Sequence, residues 1–245
     1  MYKLELIAFT IQSCADAQLA GAHRVELCDN PGEGGTTPSY GFIKAARNLL
    51  KIDLYPIIRP RGGDFLYSDE EFEMMRSDIN VCKVFGCNGV VIGILNKDGS
   101  IDKKRCKELV ELARPMGVTF HRAFDRTHNL QQALEDVIEI GCERILTSGG
   151  VPHAADGAAN IAGLIKQAAG RIIIMPGSGV RADNIKVIAE TTGAIEFHTS
   201  ARKNLESRMG YRSEGMNEKM MEVGLDVEEV RKITETLKGA KQHND

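Results

Sequence analysis

The chain contains no tryptophan, and aromatic residues make up only 5% of it, which excludes a Trp belt or a Trp-centred hot spot. No apolar stretch approaches the ~18 residues that a membrane span needs. There is no long basic run and the net charge is −3, which argues against nucleic acid or a membrane surface as partner. The cysteines, Cys14, Cys28, Cys82, Cys87, Cys106 and Cys142, form no CxxC pair and no Cys/His cluster at zinc spacing. They read as reduced thiols of a cytoplasmic protein, acting as small apolar side chains. The opening residues 1–8 interrupt their apolar run with Glu5, a poor signal peptide and a good first strand. Linkers rich in proline or serine are missing too, so nothing marks a domain boundary.

What is present is alternation. Strand-like segments at 3–8, 24–27, 54–58, 89–92, 118–121, 144–147, 171–175 and 194–198 are separated by helical patterns. The helical patterns fall at 14–21, 38–50, 69–85, 103–113, 130–140, 158–168, 182–190 and 227–237. Thr37 and Pro38 read as the cap and first position of the second helix. Ser68-Asp69-Glu70-Glu71 reads as a capping box opening the third. Gly86, Gly141 and Gly193 follow helices as C-cap signals. With 245 residues, 42% of them hydrophobic, one large core is within reach. Eight βα units in this length predict an α/β fold, a single (β/α)8 TIM barrel spanning 1–245. A doubly wound sheet would carry Gly-x-Gly-x-x-Gly after its first strand, where Phe9-Thr10-Ile11-Gln12 stands instead.

The active face of such a barrel is the C-terminal end of its strands. The residues expected there are Glu5, Glu26, Cys28, Arg59, Arg61, His121, Arg122, Asp125, Ser148, Gly177, Ser178, Gly179, His198 and Ser200. Pro60 biases Arg59 to an extended conformation, so Arg59 and Arg61 are expected on one side, as a prepared anion site. Glu5 and Glu26 lie in strands covered on both faces, so each needs a partner, and Arg59, Arg61 and Arg122 are the candidates. Gly177-Ser178-Gly179 leads toward a helix N-terminus, where backbone N–H groups can hold an anion. Glu26, His121 and Asp125 are the candidates for proton transfer. No lysine stands at a strand end, which disfavours Schiff-base chemistry. Residues 202–224 show no periodicity and are expected to form a loop covering the mouth, with Arg208, Tyr211 and Arg212 reaching down.

These motifs resemble one family, the copper homeostasis protein CutC family. The resemblance rests on Arg24-Val25-Glu26-Leu27-Cys28, Glu33-Gly34-Gly35-Thr36-Thr37-Pro38-Ser39 and Ile58-Arg59-Pro60-Arg61-Gly62-Gly63-Asp64-Phe65. It continues through His121-Arg122-Ala123-Phe124-Asp125, Leu146-Thr147-Ser148-Gly149 and Glu196-Phe197-His198. It implies a cytoplasmic TIM barrel, a homo-oligomer such as a dimer, linked to copper handling, with Cys28 as a ligand for Cu(I). Ile7 stands where family members often carry a second cysteine, which halves the soft ligand set that Cu(I) prefers. Two functions therefore stand side by side: a copper-binding protein, and an enzyme acting on a small anionic substrate by acid/base chemistry.

Overall fold

The computed structural model describes residues 2–217 and 220–239. Eight parallel strands form the barrel: β1 (Lys3–Ala8), β2 (Arg24–Leu27), β3 (Asp53–Pro56), β4 (Gly89–Ile92), β5 (Gly117–Phe120), β6 (Arg144–Thr147), β7 (Ile173–Pro176) and β8 (Glu196–Thr199). The helices are α1 (Ile11–Leu19), α2 (Tyr40–Leu49), α3 (Asp69–Phe85), α4 (Lys103–Ala113), α5 (Leu130–Ile140), α6 (Ala158–Ala168), α7 (Ile185–Thr192) and α8 (Val227–Gly239). The strands pair in the orders β3-β2-β1-β8 and β4-β5-β6-β7. A parallel bridge between Ile57 and Val91 joins the two sheets, and β7 lies beside β8 to complete the ring. This is the (β/α)8 architecture.

The period-two alternation of each strand sorts residues between two cores. Leu4, Leu6, Val25, Leu27, Leu54, Val90, Ile92, Val118, Phe120, Ile145, Ile174 and Phe197 belong to the large apolar cluster shared with the helices. Ile7, Cys28, Tyr55, Ile57 and Val91 form a separate, smaller cluster. Other alternate positions, Glu5, Arg24, Glu26, Thr119, Arg144, Glu196 and His198, are polar and buried.

The caps explain where several helices start and stop. Ser68 and Glu71 form the expected capping box of α3, and Gly86 ends it at φ 71°. For α2 the cap is Ser39, not Thr37: Ser39 Oγ accepts from Phe42 N–H. Thr37 Oγ1 instead accepts the N–H of Arg59 at 2.9 Å, so it positions an arginine at the mouth. The segment read from sequence as a loop contains an antiparallel hairpin, β9 (Arg202–Glu206) with β10 (Met221–Leu225). It packs against α1. Arg208, Tyr211 and Arg212 are exposed, while Arg202 at its base reaches the mouth cavity.

Candidate active site at the barrel mouth

The barrel interior holds a column of alternating charge. At its lower end Tyr55 OH and Arg144 Nη1 both donate to Glu143 Oε1, at 2.8 and 2.6 Å. Arg144 Nε and Arg24 Nη2 converge on Glu196 Oε2 at 2.7 and 2.8 Å. Arg24 Nε donates to Glu5 Oε2. Glu5 Oε1 meets His198 Nδ1 at 2.8 Å, and His198 Nε2 lies 3.7 Å from Glu26 Oε2. Burial opposes charge on Glu5, but Arg24 and His198 outweigh it and hold its carboxyl well below the usual carboxylate range. Burial also opposes charge on His198, and there Glu5 and Glu26 outweigh it and raise the imidazole. Among the described residues no guanidinium pairs with Glu26: burial pushes its carboxyl up to about 7, against the pull of His198. A carboxyl poised near neutrality beside an imidazole can accept and return a proton. The partners expected for Glu5 and Glu26 were the mouth arginines; the structure supplies Arg24 and His198 instead. Arg24 and Arg144 open their strands, and the register Glu5↔Arg24 was the missed signal.

Above Glu26 opens a cavity of about 230 Å³. Arg59, His121, Arg122, His198, Ser178, Gly179, Ser200 and Glu26 line it, as the sequence placed them at the mouth. Arg202 joins them, and Ile7, Ile57, Phe65 and Leu146 give it an apolar wall. Arg59 is 5% exposed. Its Nη1 donates to the carbonyls of Glu33 and Gly35, both at 2.7 Å, and its Nη2 to Gly63 O at 2.9 Å. Among the described residues neither Arg59 nor Arg202 has a carboxylate partner, and the buried Nε of each is unpartnered. His121 is buried, and its Nδ1 accepts the N–H of Ala123 at 3.1 Å. That contact leaves the ring proton on Nε2, which has no partner among the described residues. Burial, with Arg59 nearby, drives the His121 imidazole down to about 3, so the ring is neutral.

Other expected residues serve elsewhere. Arg61 turns away from the cavity: it is 40% exposed, pairs with Asp64 and Glu71 at 2.9 and 2.6 Å, and stacks on Tyr67. The extended bias of Pro60 does not carry through, because β3 ends at Pro56 and Arg59 is held by loop carbonyls. Asp125 does not line the cavity. Its carboxylate accepts from the N–H groups of Ser148 and Gly150 at 3.0 Å, from Ser148 Oγ at 3.0 Å, from Thr147 Oγ1, and from Arg122 Nε at 2.8 Å. The β6 loop thus binds an internal anion, and Ser148 is used up in doing so. Gly177 makes room for packing: a Cβ there would lie 2.3 Å from Leu146 Cδ1. Gly157 does the same for the β6 loop, since a Cβ would sit 2.0 Å from Ser148 O. Gly157→Ala is expected to cost about 1–3 kcal/mol, read as a lower midpoint in urea at unchanged slope.

A sequence profile of the CutC family matches residues 2–203. The chain belongs to the CutC family. It is 55% identical over 213 residues to a CutC family protein of Chromobacterium violaceum, covering 87% of this chain and 86% of the relative. It is 44% identical over 236 residues to the human copper homeostasis protein cutC homolog, covering 95% and 86%. A solved CutC structure from Streptococcus agalactiae, described as a copper homeostasis protein, matches with a TM-score of 0.78 at 34% identity. That match covers 82% of this chain and 99% of the other.

The donor set in this CutC chain can be tested against copper. Cys28 is fully buried among Ile7, Tyr55, Ile57 and Val91, and Gly35 closes over its Sγ. Burial and the charge of Glu26 push its thiol well above the ordinary value, so the thiolate that Cu(I) wants is disfavoured. Met175 Sδ lies 3.4 Å from the Arg24 guanidinium, a poor place for a second cation. Glu5, Glu26 and His198 offer ligand atoms within 4.8 Å of one another. They are hard or borderline donors, however, and Arg24 already neutralises Glu5. At the mouth two soft donors do not converge among the described residues, so the mouth does not fit a resident Cu(I); the one thiol pair that meets, Cys82 with Cys87, stands at the C-terminal end of α3.

Proposed function

We propose that this chain takes part in copper homeostasis, the role its relatives' names give, through a barrel mouth that binds a small organic anion beside an acid–base pair. The observation that supports this is Arg59: a buried guanidinium that donates to three backbone carbonyls, has no carboxylate partner among the described residues, and belongs to a residue lining the cavity. A buried charge without a counterion costs several kcal/mol, and a bound anion relieves that cost. Arg202 and Arg122 add positive charge to the same walls, and Glu26, its carboxyl raised to about 7, supplies a proton acceptor beside the His198 imidazole. The cytoplasmic location and the homo-oligomer expected from the family belong to the same proposal; light scattering of the purified chain checks the second.

Calorimetric titration with inorganic phosphate and with pyruvate tests the reading. At least one should bind, and Arg202→Met should weaken it roughly tenfold, about 1.4 kcal/mol. Absence of binding by both, or binding indifferent to Arg202, sinks it. In a parallel chelator competition, Cu(I) should show no tight stoichiometric site; a tight site abolished by Cys28→Ala would restore the thiolate reading.

A further inference from the structure

Two groups in the mouth have complementary proton states. His121 is 4% exposed and lines the cavity. Its tautomer is fixed by the backbone, because the Ala123 N–H occupies Nδ1. The Nε2–H is therefore a donor, buried and unpartnered, and a buried N–H of that kind marks a place where an acceptor is missing. The ring has a built seat. Gly93 follows β4, and a Cβ on it would lie 2.4 Å from His121 Cε1. The Phe65 ring stands 4.9 Å from the imidazole, tilted by 47°. A neutral imidazole held this rigidly is suited to hydrogen-bond an oxygen that gains negative charge, since its position costs nothing to reorganise. Glu26 lines the same cavity, backed by His198.

We propose that the mouth catalyses proton abstraction next to a carbonyl group, in a short carbonyl compound whose anionic group is held by Arg59 and Arg202. This rests on the anion-binding reading above and adds the reaction and the substrate class. The Glu26 carboxylate takes the proton from the carbon beside the carbonyl. The C–H electron pair becomes the C=C bond, and the C=O π pair moves to oxygen, where His121 Nε2–H hydrogen-bonds the enolate. The proton returns from Glu26 to carbon, and the carbonyl re-forms. His198 lets Glu26 trade that proton with solvent, so each reversal can place a solvent proton on carbon. No oxidant, reductant or metal enters the balance. The apolar wall of Ile57, Phe65 and Leu146 keeps the reacting carbon from bulk water.

The test is hydrogen exchange in D2O, followed by proton NMR on the full chain with pyruvate and with dihydroxyacetone phosphate. The pair separates a carboxylate from a phosphate as the anchoring group. At least one probe should lose its C–H signal at ten times the protein-free rate or faster. Glu26→Gln should return the rate to background. His121→Phe should remove most of the excess over the protein-free rate, while the probe still binds in calorimetry. Gly93→Ala should slow exchange as well, by displacing the ring while leaving Glu26 and the arginines in place. Binding of a probe without exchange above background overturns this inference and leaves the anion site standing. Exchange that survives both Glu26→Gln and His121→Phe also overturns it. If neither probe binds, the anion-binding reading itself fails.

Discussion

Arg24→Met should destabilise the folded chain by about 3–5 kcal/mol, because it leaves Glu5 and Glu196 buried without their shared guanidinium. For a chain of this size that is a melting temperature lower by roughly 6–20 °C. Methionine fills similar volume, so the loss reports charge and hydrogen bonding more than a cavity. The pH dependence gives a second readout. The Glu5 carboxyl sits below its ordinary 4.5 in the folded state. Its contribution is therefore present above that pH and is lost as pH falls toward the folded value. In Arg24→Met the largest pull on Glu5 is gone and His198 and Arg144 hold it ionised less firmly, so protonation relieves the variant. The deficit against wild type should shrink as pH drops from about 7 to about 4. A deficit that is constant with pH would mean that packing, not the ion column, sets the cost.

Asp125→Ala should be nearly as damaging, about 3 kcal/mol or more, although Asp125 stands in a stretch that looks catalytic. The substitution strands the N–H of Ser148 and the hydroxyl of Thr147, both fully buried, and releases Arg122. Urea denaturation of Asp125→Ala against Asp125→Asn measures this. Asparagine keeps one accepting oxygen and should recover part of the loss. Phosphate or pyruvate should bind more weakly to the alanine variant, since Arg122 loses its tether beside the cavity. A variant of wild-type stability would instead support the proton-transfer role that the sequence suggested for Asp125.

The barrel itself was legible, because parallel strands buried on both faces appear as short apolar runs, and helix caps such as Ser68/Glu71 are local chemistry. The ends of strands were harder. Residues 57 and 58 look like strand, yet beyond Pro56 the chain keeps one backbone bond to Leu27 and a bridge to Val91 before it leaves the sheet at Arg59. That departure separates Arg59 from Arg61, which lie two residues apart and face different environments. Within the mouth, Glu26, His121, Arg122 and His198 were readable from their positions at strand ends. Arg24 and Arg144 were not, since they begin their strands, where arginines ordinarily reach solvent. Here the register carries both inward, to 2% and 3% exposure. Asp125 was legible as a residue and misread as a role: adjacency to His121 cannot reveal that the β6 loop folds back onto its carboxylate. Arg202 was hidden because the hairpin it anchors pairs residues far apart in the chain.

The column from Glu143 to Glu26 also bears on inheritance. A substitution at Arg24, Glu196 or Arg144 leaves a neighbour's charge exposed to an apolar interior. A descendant with a different barrel interior must therefore change two or three positions together. Pairs on the outside, such as Arg171 with Glu135 at 45% and 40% exposure, carry no such lock. Single codon changes can wander over the outer helices, whereas the inside of the barrel passes on as one character.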